Sequence, residues 1–274
     1  MEAPVWLHQF DYGYGPQVLG GKPDSDLPIS AIYGKTNDGL TWQGHWDTAP
    51  EAISGVGALL RTVRQRYGAA GIDFVPWGVI HGRWEGEPRQ AAKEGARAAL
   101  IAKACVWPGG PARYIVDLEP FYHAPFKAFW RNDLGAGPID VLRFAAAFQA
   151  NGGDELWVAP DARDPHLTPV SFGIWAGLPI VTRVLPQVCY TDFVKPRTPT
   201  PITVRTALER AIDALGAHGW ADTASIHPIL PGDSPASLIP FAMSELQRLG
   251  CSREISFYQR ASLRLDTAKA IAEE

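Results

Sequence analysis

Cysteine is scarce in this chain: three in 274 residues, at positions 105, 189 and 251, each isolated from the others. That number and spacing exclude a disulfide framework and the paired cysteines of a structural zinc site, leaving Cys105, Cys189 and Cys251 as small buried apolar residues. No block of lysine or arginine occurs. With 25 basic against 29 acidic residues the net charge is −4, so the chain offers no electrostatic footprint for nucleic acid or an anionic membrane. A neutral, polar substrate fits this balance better. No run of eighteen uncharged apolar residues is present, and Met1 to Leu7 lacks a basic segment followed by an apolar one. The expectation is a chain made in the cytoplasm, with export or phage-associated release as later routes. His, Asp and Glu do not cluster at metal-ligand spacing. Gly13, Gly15, Gly20 and Gly21 do not form a phosphate-binding turn. Neither metal nor cofactor is expected.

A hydrophobic share of 46% is enough for a sizeable core, and no linker divides residues 1–274, which predicts a single domain. Short apolar runs alternate with helical periodicity along the whole length. Strands are expected at Val5–Phe10, Ala31–Lys35, Ile72–Ile80, Tyr114–Glu119, Leu156–Ala159, Val184–Tyr190, Ser225–Leu230 and Glu254–Tyr258. Helices are expected from Pro50 to about Gly68, at Pro88–Ala104, Asp140–Ala150, Thr203–Leu215, Pro235–Leu249 and Leu263–Ala272, with a weaker one near Val170–Ala176. The Gly/Pro-rich stretch from Gly13 to Pro28 reads as a loop. Eight βα units imply right-handed crossovers and a parallel sheet, hence an α/β fold: a single (β/α)8 TIM barrel with an irregular first βα unit. An open doubly wound sheet is the alternative.

The stretch Ala112 to Tyr122, ARYIVDLEPFY, is the centre of the functional reading. Tyr114, Ile115 and Val116 form a β-branched and aromatic run leading into Asp117-Leu118-Glu119. Side chains alternate along a strand at about 3.3 Å per residue, so Asp117 and Glu119 share a face with β-carbons roughly 6.5 to 7 Å apart. The charge of one raises the pKa of the other, which prepares one of them to act as an acid near neutral pH. A structural alternative is a carboxylate pair bound to Lys35 or Arg83 across the barrel mouth.

Barrel enzymes carry their chemistry at the C-terminal strand ends. That rule gathers His8, Gln9 and Asp11 from strand one, Lys35, Asn37 and Asp38 from strand two, and Trp77, His81 and Arg83 from strand three. Strand five supplies Asp161 and Arg163, strand six Gln187, Tyr190 and Asp192, strand seven His227, and strand eight Tyr258, Gln259 and Arg260. From these, Asp11, Lys35, Trp77, His81, Asp161, Tyr190, Asp192, His227, Tyr258 and Gln259 are the candidate substrate contacts beside catalytic Asp117 and Glu119. Polar residues past a strand also serve as helix caps and turn formers, and Asp38, Asp161 and Asp192 have that reading too. Ten tryptophans add aromatic faces suited to stacking on sugars, although Trp also fills core space.

Asp-Leu-Glu on strand four, IYGKTNDG on strand two, VPWGVIHGR on strand three and FYQRAS on strand eight together resemble the family 25 glycoside hydrolases, muramidases with a barrel fold. The resemblance implies that Glu119 is the acid/base and that Asp117 assists, with Asp11 and Asp192 nearest to the further acids of that family. The family's strand-one motif is absent, and His8-Gln9-Phe10-Asp11 stands in its place. The Asp-x-Glu ending is also similar to that of retaining hexosaminidases in which the substrate's acetamido group is the nucleophile. Two functions follow as expectations. One is a glycosidase acting on an N-acetylhexosamine-containing glycan such as peptidoglycan. The other is a catalytically silent glycan-binding or structural barrel of a phage tail or cell-surface assembly.

Overall fold

The computed structural model describes residues 3–7, 29–42, 73–82, 90–106, 110–118, 137–188, 200–231, 234–252 and 254–258. Among them, eight parallel strands carry the barrel: β1 (Ala3–Leu7), β2 (Ile29–Asp38), β3 (Asp73–Val79), β4 (Arg113–Leu118), β5 (Glu155–Pro160), β6 (Val181–Val184), β7 (Ile229–Pro231) and β8 (Ser256–Tyr258). The helices are α1 (Gln90–Cys105), α2 (Pro138–Ala150), α3 (Asp164–Leu167), α4 (Phe172–Ala176), α5 (Pro201–Ala217) and α6 (Ile239–Arg248). Thr41–Trp42 turns back as a short antiparallel partner of β2. The loop expected at residues 13–28 and the helices expected at 50–68 and 263–272 lie outside the described residues.

Strand order is β6-β5-β4-β3-β2-β1-β8-β7. The remaining seam closes the barrel through bridges from Val184 to Ile226 and from Gln187 to Ile229. Its hydrogen bonds run from His227 N to Val184 O at 2.8 Å, Ile229 N to Pro186 O at 2.8 Å and Val188 N to Ile229 O at 2.9 Å. Pro186 has no N–H to give, so one rung of this parallel ladder is missing. That is why the regular strand stops at Val184 although the pairing continues to residue 188.

Strands buried on both faces need apolar residues at nearly every position, and β4 (RYIVDL) and β5 (ELWVAP) supply them. Alternation divides the core into two. Trp6, Ala31, Tyr33, Val75, Trp77, Val79, Ile115, Trp157, Ala159, Leu185 and Ile229 pack inside the barrel. Ile32, Phe74, Tyr114, Val116, Leu118, Leu156 and Val158 face outward against the helices. Between α1 and α2 the approach is so close that a β-carbon at Gly95 would collide with the carbonyl oxygen of Phe144. Thr200 caps α5 by accepting a hydrogen bond from Thr203 N at 3.3 Å, with Pro201 at the first helical position.

The N-terminal ends of the strands hold a charged floor. Arg113 reaches Glu155 at 3.2 Å and Asp73 at 3.5 Å. Glu254 collects Arg183 at 3.2 Å, the His227 imidazole at 3.3 Å and the Tyr33 hydroxyl at 3.4 Å. Hydrogen bonding to His227 holds the Glu254 carboxyl below the usual range in spite of its burial. Both guanidinium groups lie over the Trp157 ring, Arg183 at 4.5 Å and Arg113 at 5.5 Å from its centroid.

Candidate active site

At the opposite, C-terminal mouth, a cavity of about 140 Å³ is lined by Trp6, Trp77, Asp117, Gln187, Ile229, Leu230, Pro231 and Tyr258. Asp117 comes from the fifth position of β4, opposite Val79 on β3 and Ala159 on β5. It is 6% exposed. Gln187 Nε2 donates to Asp117 Oδ1 at 2.8 Å and lies 3.3 Å from the carbonyl oxygen of Ala159. The aromatic walls meet edge to face: Trp6 and Trp77 with centroids 5.3 Å apart, Trp6 and Tyr258 at 6.5 Å. Trp6 is fixed by donating to Ser256 Oγ at 2.8 Å, and Trp77 by donating to the carbonyl oxygen of Tyr33 at 3.0 Å. Tyr258 keeps 42% of its surface exposed and forms the outer edge. A buried carboxylate between locked aromatic faces can receive a neutral polar ring, with stacking on its apolar side and hydrogen bonding on the other.

The structure brings Asp117, Trp77 and Tyr258 together as the sequence predicts. Lys35 also turns inward, its Nζ 5.2 Å from the Trp77 ring centroid. Asp161 stands at the end of β5, bridged to Gln187, but its carboxylate is engaged by Arg163 Nε at 2.9 Å and His166 Nδ1 at 2.7 Å. Burial alone would raise its pKa. The hydrogen bonds from Arg163 and His166 outweigh burial and hold it below the usual carboxylate range. Glu119, Asp11, Tyr190, Asp192 and Gln259 lie outside the described residues.

Two expectations need correction. His81 is not at the cavity: its backbone N–H and that of Gly82 are bound by Glu94 of α1, at 3.0 and 2.8 Å, and its ring packs on Gly39. Gly39 adopts φ +55° in the turn after β2, and a side chain there would collide with that ring. His227 lies at the floor, bound to Glu254, because β7 begins at Ile229 and the residues preceding it belong to the opposite end. Conversely, Trp6 and Gln187 are cavity residues outside the set of candidate contacts. The signal for Trp6 was parity, since alternation along the strand expected at Val5–Phe10 puts it in step with position 8. For Gln187 it was its position immediately after a strand proline, Pro186. Among the described residues, no helix is long and apolar enough to cross a membrane, and no group of three His, Cys, Asp or Glu side chains is placed to hold a metal ion.

No protein-family profile matches the sequence, and no curated protein matches it. Solved structures do match over nearly the whole chain. A GH18 chitinase from Pseudoalteromonas aurantia superposes with a TM-score of 0.59 at 11% identity, covering 100% of this chain and 99% of its own. The C-terminal domain of a putative chitinase from Desulfitobacterium hafniense DCB-2 gives 0.64 at 11% identity, covering 98% and 97%. A fungal endo-β-N-acetylglucosaminidase of glycosyl hydrolase family 18 gives 0.54 at 13% identity, covering 100% and 95%. The fold is a (β/α)8 barrel, similar to the barrels of these glycoside hydrolases. The resemblance to family 25 is carried only as far as a barrel like those of glycosidases, since the Pseudoalteromonas and fungal structures are of family 18.

Proposed function

We propose that the chain is a retaining glycoside hydrolase acting on an N-acetylhexosamine-containing polymer, with the substrate's own acetamido group as nucleophile. The observation that carries this reading is Asp117, a buried carboxylate held by Gln187 on the floor of an aromatic-walled cavity at the barrel mouth. Supporting it is the likeness in fold to chitinases and an endo-β-N-acetylglucosaminidase of family 18, a family in which substrate assistance operates. Glu119 enters from the sequence alone, two positions beyond Asp117.

In this scheme Glu119 protonates the glycosidic oxygen as the acetamido carbonyl oxygen attacks the anomeric carbon. The C–O bond breaks with its electron pair going to the leaving oxygen. Asp117 accepts a hydrogen bond from the acetamido N–H and balances the positive charge of the cyclised intermediate. Glu119, now a carboxylate, then draws a proton from water as that water attacks the same carbon, the bond from that carbon to the acetamido oxygen breaks with its electron pair returning to the acetamido group, and the two inversions return the original configuration.

The test is release of reducing ends from N-acetylglucosamine oligomers and from purified peptidoglycan. The reading expects turnover of at least one, reduced by about 10²- to 10⁴-fold in Glu119→Gln. Binding without hydrolysis by the wild-type protein would favour the silent glycan-binding barrel instead. Turnover by Glu119→Gln at the wild-type rate would remove Glu119 from the mechanism.

A further inference from the structure

We propose that Gln187 is a positioning residue that sets the plane of the Asp117 carboxylate for the substrate's acetamido group; the inference rests on the reading of the site as a substrate-assisted hydrolase. Two acceptors face the Gln187 amide, Asp117 Oδ1 at 2.8 Å and the Ala159 carbonyl oxygen at 3.3 Å. Only the NH2 end of an amide can serve both, so the side chain has one orientation there and cannot flip. The backbone beneath it is equally fixed. Gln187 N donates to Pro160 O at 2.9 Å on the β5 side, while Ile229 N donates to Pro186 O at 2.8 Å and Val188 N to Ile229 O at 2.9 Å on the β7 side. The residue therefore sits in the closing seam of the barrel, tied to both neighbours, and delivers a rigid donor to one oxygen of Asp117.

That hold fixes the rotation of the carboxylate about its Cβ–Cγ bond, and with it the position of Oδ2. An acetamido group closing on the anomeric carbon needs its N–H aimed at one carboxylate oxygen, and misplacement by about 1 Å costs on the order of 100-fold in rate. Gln187 also lines the cavity wall, so its amide stands beside the space the sugar would fill.

The test compares wild type with Gln187→Met, which keeps the length but donates nothing, and Gln187→Glu, which keeps the shape but replaces the donating amide with a carboxyl. Rates on an N-acetylglucosamine oligomer are measured with calorimetric affinity for a thiazoline analogue of the cyclised acetamido intermediate. Far-UV circular dichroism confirms folding in each. The proposal expects kcat to fall on the order of 100-fold in Gln187→Met. KM should stay within about threefold and thiazoline affinity should fall in parallel with kcat, the split expected when an interaction belongs to the transition state. Gln187→Glu should be at least as impaired. An unchanged kcat, or a loss confined to KM, in either folded variant overturns the proposal while leaving the hydrolase reading standing. Wild-type protein that neither cleaves the oligomer nor binds the thiazoline overturns that reading itself, and the proposal with it.

Discussion

Asp161 illustrates how a carboxylate at a barrel mouth is kept ionised rather than poised as an acid. Its contacts with Arg163 and His166 depress its pKa, so its contribution to stability is fully present above the unfolded value of about 3.9 and is lost as pH falls through the lower folded value. Asp161→Asn should lower unfolding free energy by about 1–3 kcal/mol at neutral pH. Urea unfolding at several pH values checks this, and the gap between the two proteins should shrink below about pH 4. A gap that stays constant down to pH 3 would contradict the assignment. At this scale the sequence made Asp117, Trp77 and Tyr258 legible because strand parity and the barrel rule together determine which residues reach the mouth. His227 failed the same rule because the strand expected from Ser225 begins only at Ile229, and that four-residue difference leaves its side chain at the opposite end. His81 failed because Glu94, a residue thirteen positions away, captures the backbone N–H groups that end β3. Nothing local in VIHGR announces that capture.

Among the described elements, α1 is tied closely to its neighbours. Glu94 is 1% exposed and accepts from His81 N, Gly82 N and Gln90 Nε2. Burial raises its pKa, against the charge of His81 and these hydrogen bonds. A raised carboxylate pKa means that its contribution is greatest below the unfolded value, about 4.3, and declines as pH rises through the folded value. Glu94→Gln should flatten that slope in thermal melts taken across the range. Glu94→Ala should cost about 2–4 kcal/mol by leaving two backbone donors unpaired. Melts of the Gln variant with the wild-type pH slope would refute the burial argument.

The α1–α2 crossing gives a second prediction. Gly95→Ala should destabilise by about 1–3 kcal/mol through overpacking on Phe144. Gly216→Ala, in open space on α5, should instead stabilise by about 0.5–1 kcal/mol. Equal effects at both sites, measured by urea denaturation, would show that the close approach is not real. Helices α1, α2, α5 and α6 were readable from periodicity, with Pro near the start and Asn or Gly past the end of α2, α5 and α6. Their limits differ from the expected ones by a few residues because fraying and capping geometry, not periodicity, decide the last turn.

For the molecule as a whole, closure through the seam between β6 and β7 means that no strand in the described barrel is a free edge. Trp6, Trp77 and Trp157 sit inside it and Trp175 and Trp220 in the layer between strands and helices, so tryptophan fluorescence reports side-chain packing while far-UV circular dichroism reports the helical ring. The two probes should give coincident urea transitions, the behaviour of one cooperative unit. Separated midpoints would indicate a barrel that opens before its helices melt. The eight-fold alternation made this architecture legible from sequence. Pro186 obscured the closure because a strand proline removes a rung without ending the pairing. Substrate class was less legible, since Asp-x-Glu on strand four is shared by barrels of different families.

The central claim, that Asp117 and Glu119 serve substrate-assisted hydrolysis, is tested most directly by a paired rate measurement. Two aryl glycosides, identical except for an acetamido or a hydroxyl group at C2, are offered to the wild-type protein, and the anomer first released is followed by proton NMR. Cleavage confined to the acetamido substrate, with retained configuration, is the predicted result. Equal cleavage of both substrates, or an inverted product, would contradict the account.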